Sequence, residues 1–216
     1  MLWDTAMKLT VVIPALNEEL AIGSTIERML EARKHIVSTS PVEDVELIVV
    51  SDGSTDRTAE IASSFADVRV IIFEQNRGYG AAIKKGFAEG TGEIVGFLDA
   101  DGTCDPQFFA TLCNALTQDR ADVAIGSRMG PQSHMPKIRR LGNRIYALIL
   151  SMLSNKVVTD TASGMRVIRR SALSNLYPLP DGLHFTPAMS ARVLMDEQLR
   201  IVERPMSYEE RIGQSK

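Results

Sequence analysis

Apolar and polar positions follow two different rhythms through the first half of the sequence. Short runs rich in β-branched residues predict strands, and longer stretches with apolar residues every three or four positions predict helices. The predicted strands cover residues 9–14, 45–50, 68–73 and 94–98, and the predicted helices cover residues 18–36, 56–65 and 81–88. Apolar strands separated by helices indicate a mostly parallel sheet with helices on both faces, which is a three-layer α/β fold.

This alternation continues to about residue 126 and then breaks. The second half is predicted to contain a helix ending near residue 116, strands at 122–126, 164–168 and 199–204, and helices at 137–153 and 186–195. No repeat, low-complexity tract or change in composition marks a boundary. The length also suits one domain, so we expect a single domain over residues 1–216.

Composition excludes several classes of protein. The formal charge of −3 offers no basic field for a nucleic acid polymer, whose binding depends on many Lys and Arg contacts to phosphate. The two cysteines have no zinc or redox spacing, which favours plain thiols in a reducing cytosol. The most apolar stretch, residues 145–153, is well short of the ~20 residues of a membrane-spanning helix. We therefore expect a cytoplasmic protein with no bilayer-crossing helix in this sequence.

Polar residues follow the predicted strands at the points where the strands end. In an open parallel sheet, ligands bind outside the carboxyl ends of the strands. The pattern therefore predicts one cleft surrounded by the loops that follow five strands. These loops hold Asn17 and Glu18, residues 52–56, residues 76–79, residues 99–101, and Ser127 with Arg128.

Asp99 and Asp101 come directly after the strand at 94–98. Two neighbouring carboxylates repel each other unless a cation lies beside them. Mg²⁺ and Mn²⁺ prefer oxygen ligands and complete their shells with phosphate oxygens, so the pair indicates a metal site that holds a nucleotide diphosphate. The alternative is a simple turn, since Asp101-Gly102 is a typical turn sequence.

Two further loops carry weaker signals. Residues 54–56 are typical helix-capping residues, but Asp52 precedes them at the strand end, where its carboxylate suits the N–H groups of a nucleobase. The glycine-rich stretch 76–86 leads into a helix, which could bring backbone N–H groups or Lys84 to a phosphate. The alternative for this stretch is close packing of the helix start, because it has neither dinucleotide-binding nor P-loop spacing.

Positive charge gathers on and before the predicted helix at 137–153. The basic residues are Arg128, Lys137, Arg139, Arg140 and Arg144. A basic helix start that continues into an apolar stretch indicates contact with anionic headgroups at a membrane surface. The alternative is an amphipathic core helix whose arginines are solvated. Residues 160–166 then supply a carboxylate, hydroxyls and an arginine before a strand, although this segment could be only a loop.

Six motifs in this order resemble glycosyltransferase family 2 and cover almost the whole chain. They are IPALNE at 13–18, VVSDGSTD at 49–56, NRG at 76–78, DAD at 99–101, GSR at 126–128 and SGMR at 163–166. The likeness is greatest to the polyprenyl-phosphate branch, the dolichyl-phosphate mannosyltransferase-like enzymes, whose ending resembles RPMSY at 204–208 and RIGQSK at 211–216. The resemblance implies a GT-A fold, which is a Rossmann-like three-layer sandwich that binds nucleotide sugars.

The resemblance also implies an activity and its partners. It implies an inverting transfer of a hexose from GDP-mannose, UDP-glucose or a similar donor to a polyprenyl phosphate, with Mg²⁺ or Mn²⁺, at the cytosolic membrane face. Relatives of this branch often continue into membrane helices beyond the position of Lys216, so we expect either such helices outside this sequence or a membrane-embedded partner. The alternatives are a soluble sugar or glycolipid acceptor, and a catalytically idle nucleotide-sugar-binding module.

Individual roles follow from the same resemblance. The nucleotide would be held by Pro14, Ala15, Asn17, Glu18, Asp52 and Asp99, the metal by Asp99 and Asp101, and phosphate groups by Arg128 and Arg139. Lys84 is added to the nucleotide-binding residues because of the glycine-rich helix start that contains it. A lipid phosphate acceptor is already anionic near neutral pH and needs no strong base. A sugar hydroxyl acceptor needs a base, and Asp160 is the candidate.

Overall fold

The structure is a computed structural model that describes residues 7–130 and 133–212. Within these residues, seven strands form one sheet in the order β3-β2-β1-β4-β6-β5-β7. The strands are β1 Met7–Ala15, β2 Val42–Asp52, β3 Arg69–Phe73, β4 Ile94–Leu98, β5 Val123–Ser127, β6 Met165–Arg169 and β7 Ile201–Pro205. The helices are α1 Ile22–Thr39, α2 Thr58–Ser63, α3 Tyr79–Glu89, α4 Phe108–Gln118, α5 Lys137–Leu153, α6 Leu173–Leu176 and α7 Phe185–Met195.

The sheet is parallel except at β6. The strand β1 lies between β2 and β4 and pairs with both in parallel, whereas β6 lies between β4 and β5 and is antiparallel to both. Leu98, the last residue of β4, therefore pairs with Met165, the first residue of β6. As a result, the segment before β6 reaches the same edge of the sheet as the carboxyl ends of the parallel strands.

Successive strand residues pack on opposite faces of the sheet, as the pleat requires. Val11 and Ile13 of β1 contribute to one core with α1 and α4, whereas Val12 contributes to a second core with α3 and α7. Both faces of β1 are therefore buried. This arrangement confirms the predicted α/β fold with helices on both faces of a mostly parallel sheet.

The predicted elements are all present, with ends that differ by a few residues. The helix predicted at 18–36 begins later, at Ile22, and Leu16 and Glu18, which precede it, line a cavity at the edge of the sheet. The short helix α6 and the 3-10 turn Arg170–Ala172 were not predicted, since four and three residues are too few to establish a periodic pattern. The predicted ending motif at 211–216 extends past Ile212, outside the described residues.

The helix α5 buries a narrow side and exposes a broad apolar one. Its buried residues are Asn143, Ala147 and Leu150. Its exposed apolar residues include Ile138, Leu141, Ile145, Leu148, Ile149, Met152 and Leu153. In the part of the chain that the structure describes, no helix is both long and apolar enough to cross a membrane.

Candidate functional site

A cavity of about 540 Å³ lies at the carboxyl edge of the sheet, where the sequence predicted a cleft. It is bordered by the ends of β1, β2 and β4 and by the segment before β6. Predicted site residues that line it are Pro14, Ala15, Glu18, Asp52, Asp99 and Asp101. The topology thus brings together side chains that lie up to 87 positions apart in the sequence.

Asp99 and Asp101 each keep one oxygen engaged by a neighbouring hydroxyl. Tyr79 donates to Asp99 Oδ1 at 2.6 Å, and Thr103 donates to Asp101 Oδ1 at 2.7 Å. Burial, followed by the negative charge of Asp101, raises the pKa of Asp99 to about 7. The second oxygens, Asp99 Oδ2 and Asp101 Oδ2, are the hard donors that Mg²⁺ or Mn²⁺ prefers, and Asp101 Oδ2 also lies 3.3 Å from Arg211 Nη1. The pair therefore fits a divalent cation, although its role as a metal site stays a prediction.

The two carboxylates of Asp99 and Asp101 are too few to fill the coordination shell of a divalent cation. Within residues 7–130 and 133–212, no cluster of three His, Cys, Asp or Glu side chains could hold a metal. Two protein carboxylates leave most positions of an octahedral shell to other ligands. The arrangement suits a cation that arrives with substrate phosphates and water, rather than one that is permanently caged.

Gly164 closes the cavity against Asp99. A Cβ at this position would lie 1.8 Å from Asp99 Oδ2, so any larger residue would collide with the carboxylate. The antiparallel pairing of β6 with β4 creates this approach, because it places Met165 opposite Leu98. The motif at 163–166 thus has a physical function that its sequence did not reveal.

Hydrogen bonds between loops organise the part of the cavity that lies beside Asp52. Asp52 is buried and accepts from the backbone N–H groups of Arg77 and Gly78 at 2.7 and 2.9 Å. Asn17 Oδ1 accepts from the backbone N–H of Thr55 at 2.7 Å, and Asn17 does not line the cavity. Asp52 therefore both borders the cavity and fixes the loop beside it, whereas the observed bond of Asn17 joins the loops after β1 and β2.

Lys84 lies away from the cavity, in contrast to its predicted contact with a phosphate. Its Nζ donates to the carbonyl oxygen of Leu179 and pairs with Asp181, both at 2.7 Å. The carbonyl of Asp181 also accepts from the N–H of Ala81, in the first turn of α3. The glycine-rich helix start is packed tightly, since a Cβ at Gly80 would lie 2.3 Å from the Pro180 carbonyl oxygen. Close packing, the alternative weighed from the sequence, describes the helix start at Gly80, whereas Asn76, Gly78 and Tyr79 of the same stretch line the cavity.

Arg128 and Asp160 form a buried ion pair beside this cavity. Arg128 donates Nε to Asp160 Oδ2 and Nη2 to Asp160 Oδ1, both at 2.8 Å, and its backbone N–H also bonds Oδ2 at 2.9 Å. The ring of Tyr208 lies 5.4 Å from the guanidinium carbon. A bidentate pair of this kind fixes the orientation of the arginine.

The surroundings of Asp160 do not suit the base that the sequence suggested for a hydroxyl acceptor. Its side chain is fully buried, and Asn143 and the backbone of Ala162 also donate to Oδ1. Burial alone would raise the pKa of Asp160. The hydrogen bonds and charge of Arg128 outweigh this effect, so the pKa lies below its usual value. The carboxylate is thus kept ionised and inaccessible, which suits orientation of Arg128 better than proton abstraction.

A second cavity of about 420 Å³ contains the cationic residues. It is lined by Arg128 and the exposed Arg139 together with Tyr146 and Tyr208. Ala162 lines this cavity and also the carboxylate cavity. The two cavities therefore meet at the loop between Asp160 and Gly164. Asp99 and Asp101 line one of them together with Arg211, and Arg128 and Arg139 line the other.

Residues 206–212, here called the strap, cross the edge of the cleft. The N–H groups of Glu209 and Ile212 donate to the carbonyls of Thr103 and Asp101 at 2.9 and 3.1 Å. Arg211 forms ion pairs with Glu18 and, at 3.3 Å, with Asp101. Sequence reasoning noted Arg211 only as part of the ending motif, so its contact with a predicted metal ligand was not anticipated.

The fold is shared with glucosyl-3-phosphoglycerate synthase of Mycobacterium tuberculosis. The structure of that enzyme with phosphoglyceric acid has a TM-score of 0.72 and 24% sequence identity, and the match covers 97% of this chain and 73% of the synthase chain. Its complex with Mn²⁺, uridine diphosphate and phosphoglyceric acid gives a TM-score of 0.73 at 24% identity, covering 97% of this chain and 72% of the other. The fold is therefore GT-A, the class that the resemblance implied.

Residues 10–177 match the model of Glycosyl transferase family 2, and the chain belongs to this family. The low-salt glycan biosynthesis hexosyltransferase Agl6 of Haloferax volcanii is 33% identical over 98% of this chain, which spans half the length of Agl6. The dolichyl-phosphate hexose transferase of the same organism is 31% identical, over 96% of this chain and 86% of its own length. The human dolichyl-phosphate beta-glucosyltransferase is 30% identical, over 82% of this chain and 59% of its own length. These relatives confirm the predicted resemblance to the polyprenyl-phosphate branch.

Proposed function

We propose that this chain transfers a hexose from a nucleotide sugar to a polyprenyl phosphate, with inversion at the anomeric carbon. The observation that carries the proposal is the junction of two cavities of opposite chemistry. One is lined by the carboxylates of Asp99 and Asp101, the other by the guanidinium groups of Arg128 and Arg139, and both reach Ala162. A donor in the first cavity and an acceptor phosphate in the second would meet at this loop.

The donor in this proposal is a UDP- or GDP-hexose such as UDP-glucose or GDP-mannose. Its nucleoside would lie against Pro14, Ala15 and Asp52, which line the carboxylate cavity. Its diphosphate would carry Mg²⁺ or Mn²⁺ to Asp99 and Asp101, because such ions are commonly held by one or two carboxylates together with substrate phosphates. Complexes of the mycobacterial synthase with Mn²⁺ and UDP-glucose support this assignment.

The acceptor phosphate would lie in the arginine cavity. Arg128 uses Nε and Nη2 to hold Asp160, and its Nη1 group, which makes no hydrogen bond within the described residues, is the donor that we assign to the phosphate. Arg139 lines the same cavity and would supply a second cation. Arginine suits this task because its planar fork matches the geometry of phosphate oxygens. Relatives named as dolichyl-phosphate and undecaprenyl-phosphate transferases support a lipid-linked phosphate.

The outward side of α5 supports an acceptor that lies in a membrane. At 3.6 residues per turn, the exposed apolar side chains of α5 fall on one side of the helix, with Lys137 and Arg144 along one border and Arg139 along the other. A helix with an apolar side between basic borders lies in the interface of an anionic bilayer. We therefore place the protein at the cytosolic membrane face, with α5 parallel to the lipid surface.

The chemistry requires little proton transfer by the protein. A phosphate oxygen attacks the anomeric carbon, the bond from that carbon to the donor diphosphate breaks, and the diphosphate leaves with the electron pair. A cation held by Asp99 and Asp101 would stabilise the negative charge that grows on the leaving diphosphate. The acceptor phosphate is already anionic near neutral pH, since the second pKa of a phosphate monoester is about 6. Orientation of this phosphate by Arg128 therefore replaces a general base.

A soluble phosphorylated acceptor is the second candidate. The solved synthase that shares this fold was crystallised with phosphoglyceric acid, which carries the same phosphate chemistry in a water-soluble form. An arginine cavity alone does not separate these two acceptors. The exposed apolar side of α5 favours the lipid.

The test is an incubation of the protein with radiolabelled UDP-glucose or GDP-mannose, Mn²⁺, and either undecaprenyl phosphate in anionic vesicles or 3-phosphoglycerate. We expect label in the organic phase with the lipid phosphate, and none with the Asp101→Ala variant, whose thermal midpoint should stay close to that of the wild type. Transfer to 3-phosphoglycerate alone would overturn the lipid assignment. Undiminished transfer by Asp101→Ala would overturn the metal assignment.

A further inference from the structure

Asn143 is a buried polar side chain on α5, on the opposite side of the helix from the exposed apolar surface. Its Nδ2 donates to Asp160 Oδ1 at 2.8 Å. Its Oδ1 accepts from the backbone N–H of Thr161 at 3.0 Å and from the Thr161 hydroxyl at 2.6 Å. One amide thus bonds the carboxylate and the next residue of the same loop.

The bonds of Asn143 continue directly into the arginine cavity. The oxygen of Asp160 that accepts from Asn143 also accepts from Nη2 of Arg128, at 2.8 Å. Thr161 is followed by Ala162, which lies where the two cavities meet. Asn143 therefore holds both Asp160, the partner of Arg128, and the loop at which the two cavities meet.

The chemical requirements at position 143 are narrow. The side chain must donate to an ionised carboxylate and accept from an amide and a hydroxyl at the same time, which a carboxamide does and an ionised aspartate does not. Removal of the carboxamide would leave the Thr161 N–H without its acceptor and Asp160 with one donor fewer. In a buried network, such losses allow the remaining members to change orientation.

We infer that Asn143 is a positioning residue of the acceptor side, which fixes Arg128 through Asp160 and the junction loop through Thr161. The identity of the ligand as a prenyl phosphate rests on the proposed function. The fixing of Arg128 rests only on the hydrogen bonds around Asp160. Asn143 thus connects α5, which carries the outward apolar surface, to the arginine that we assign to the phosphate.

The first measurement is ligand binding by calorimetry to the wild type and the variants Asn143→Ala and Asn143→Ser. The probes are citronellyl phosphate, a short soluble prenyl phosphate, and UDP or GDP with Mn²⁺. We expect Asn143→Ala to weaken citronellyl phosphate binding ~10- to 100-fold, because small displacements of a positioning group have effects of this size. Asn143→Ser, which replaces the carboxamide with one hydroxyl, should lose less affinity for citronellyl phosphate. In both variants, nucleotide affinity should change less than about twofold.

The second measurement is the hydrogen exchange of the Arg128 Nε–H group, followed by NMR. In the wild type this proton is held by Asp160 Oδ2 and should exchange slowly. In Asn143→Ala and Asn143→Ser it should exchange faster, by about tenfold or more in the alanine variant. The matched control is Gly142→Ala, the neighbouring residue on α5, where an added Cβ meets nothing within 4 Å and both measurements should match the wild type.

Two results would overturn the inference. One is unchanged protection of the Arg128 Nε–H in the folded variants, and the other is an equal loss of prenyl phosphate and nucleotide binding, which would mean general damage to the fold. If Asn143→Ala does not fold, Asn143→Ser provides the same comparison. If the wild type binds no prenyl phosphate, the proposed acceptor fails, whereas the Arg128 exchange rate still decides whether Asn143 positions Arg128.

Discussion

The carboxylate of Asp99 occupies the space where a side chain at Gly164 would lie. Asp99 directly follows β4 and Gly164 directly precedes β6, its antiparallel neighbour, and a Cβ at position 164 would lie 1.8 Å from Asp99 Oδ2. The glycine therefore determines where one of the two candidate metal ligands points. It acts on the site through the absence of a side chain.

Gly164→Ala should displace Asp99 and weaken the binding of Mn²⁺ with UDP or GDP by about tenfold or more, measured by calorimetry. Overpacking should also lower the free energy of unfolding by about 1–3 kcal/mol. The control is Gly23→Ala on α1, where the new Cβ would lie 3.5 Å from Ile61 and should leave binding intact. Wild-type affinity in Gly164→Ala would contradict this account of the site.

Asp160→Ala should destabilise the protein strongly, because it leaves the buried guanidinium of Arg128 without its counter-charge. The loss in the free energy of unfolding should be about 3–5 kcal/mol in urea titrations at pH 7. Asp44→Ala removes a carboxylate from the exposed pair with Lys8 and should have little effect.

The difference in the free energy of unfolding between the wild type and Asp160→Ala should depend on pH. The pKa of Asp160 is lowered in the folded state, so its stabilisation is present above the unfolded pKa of about 3.9 and is lost as the pH falls through the folded value. The gap between wild type and Asp160→Ala should therefore be largest near neutral pH and shrink below about pH 4. An equal gap at pH 3 and pH 7 would argue against a charged Asp160.

Substitution of the exposed side of α5 should reduce membrane binding without loss of stability. Ile145 and Leu148 are 52% and 62% exposed, so Ile145→Gln with Leu148→Gln removes apolar surface that the core does not use. We expect less co-sedimentation with vesicles that contain anionic lipid, and a further decrease at high salt. Ile72→Gln changes a similarly exposed residue on β3 and should bind vesicles as the wild type does. If the wild type, the double variant and Ile72→Gln bind vesicles equally, α5 is not the membrane-contact surface.

Arg211→Gln should loosen the strap. Its guanidinium pairs with Glu18 and Asp101, and the nearby N–H groups of Glu209 and Ile212 bond the carbonyls of Thr103 and Asp101. Without the charge, these two amides should exchange faster in hydrogen exchange measured by NMR. Glu210→Gln alters an exposed neighbour and serves as the control. Unchanged protection in Arg211→Gln would show that the backbone bonds alone hold the strap.

Cys113 should be unreactive in the native protein. It is a residue of α4 that faces the core, and burial raises the pKa of its thiol to about 12, so almost no thiolate exists at pH 8. Ellman's reagent should therefore react with Cys113 only after unfolding in urea. A fast reaction in native buffer, absent in Cys113→Ala, would contradict the packing of α4.

The sequence predicted the parts of the site that depend on strand ends. Asp52 and Asp99 follow apolar runs, and the parallel-sheet rule was enough to place them in one cleft. Lys84 shows the limit of local patterns, because its helix start is covered by a segment around residue 180, and the carbonyl that its amine bonds lies 95 positions away. A glycine-rich helix start can pack against a neighbouring segment or bind a phosphate, and the local sequence is the same in both cases.

Strand direction accounts for other residues that the sequence did not place. An apolar run does not state whether its strand is parallel or antiparallel, so the reversal of β6, and with it the contact between Gly164 and Asp99, could not be foreseen. Arg211 reaches Asp101 across 110 positions through a strap without periodic pattern. Asn143 sits in a helix that was predicted correctly, but the pattern of that helix indicated only an apolar side and a basic side.

Under the proposed function, the strap would also compete with the ligands for the same carboxylates. A cation that approaches Asp101 meets a carboxylate already paired with Arg211, and a nucleotide that approaches Glu18 meets the same guanidinium. If these contacts must open first, the measured dissociation constant equals the intrinsic one divided by the fraction of molecules with the strap released. Any change that weakens the strap would then tighten apparent binding, even though it adds no contact to the ligand.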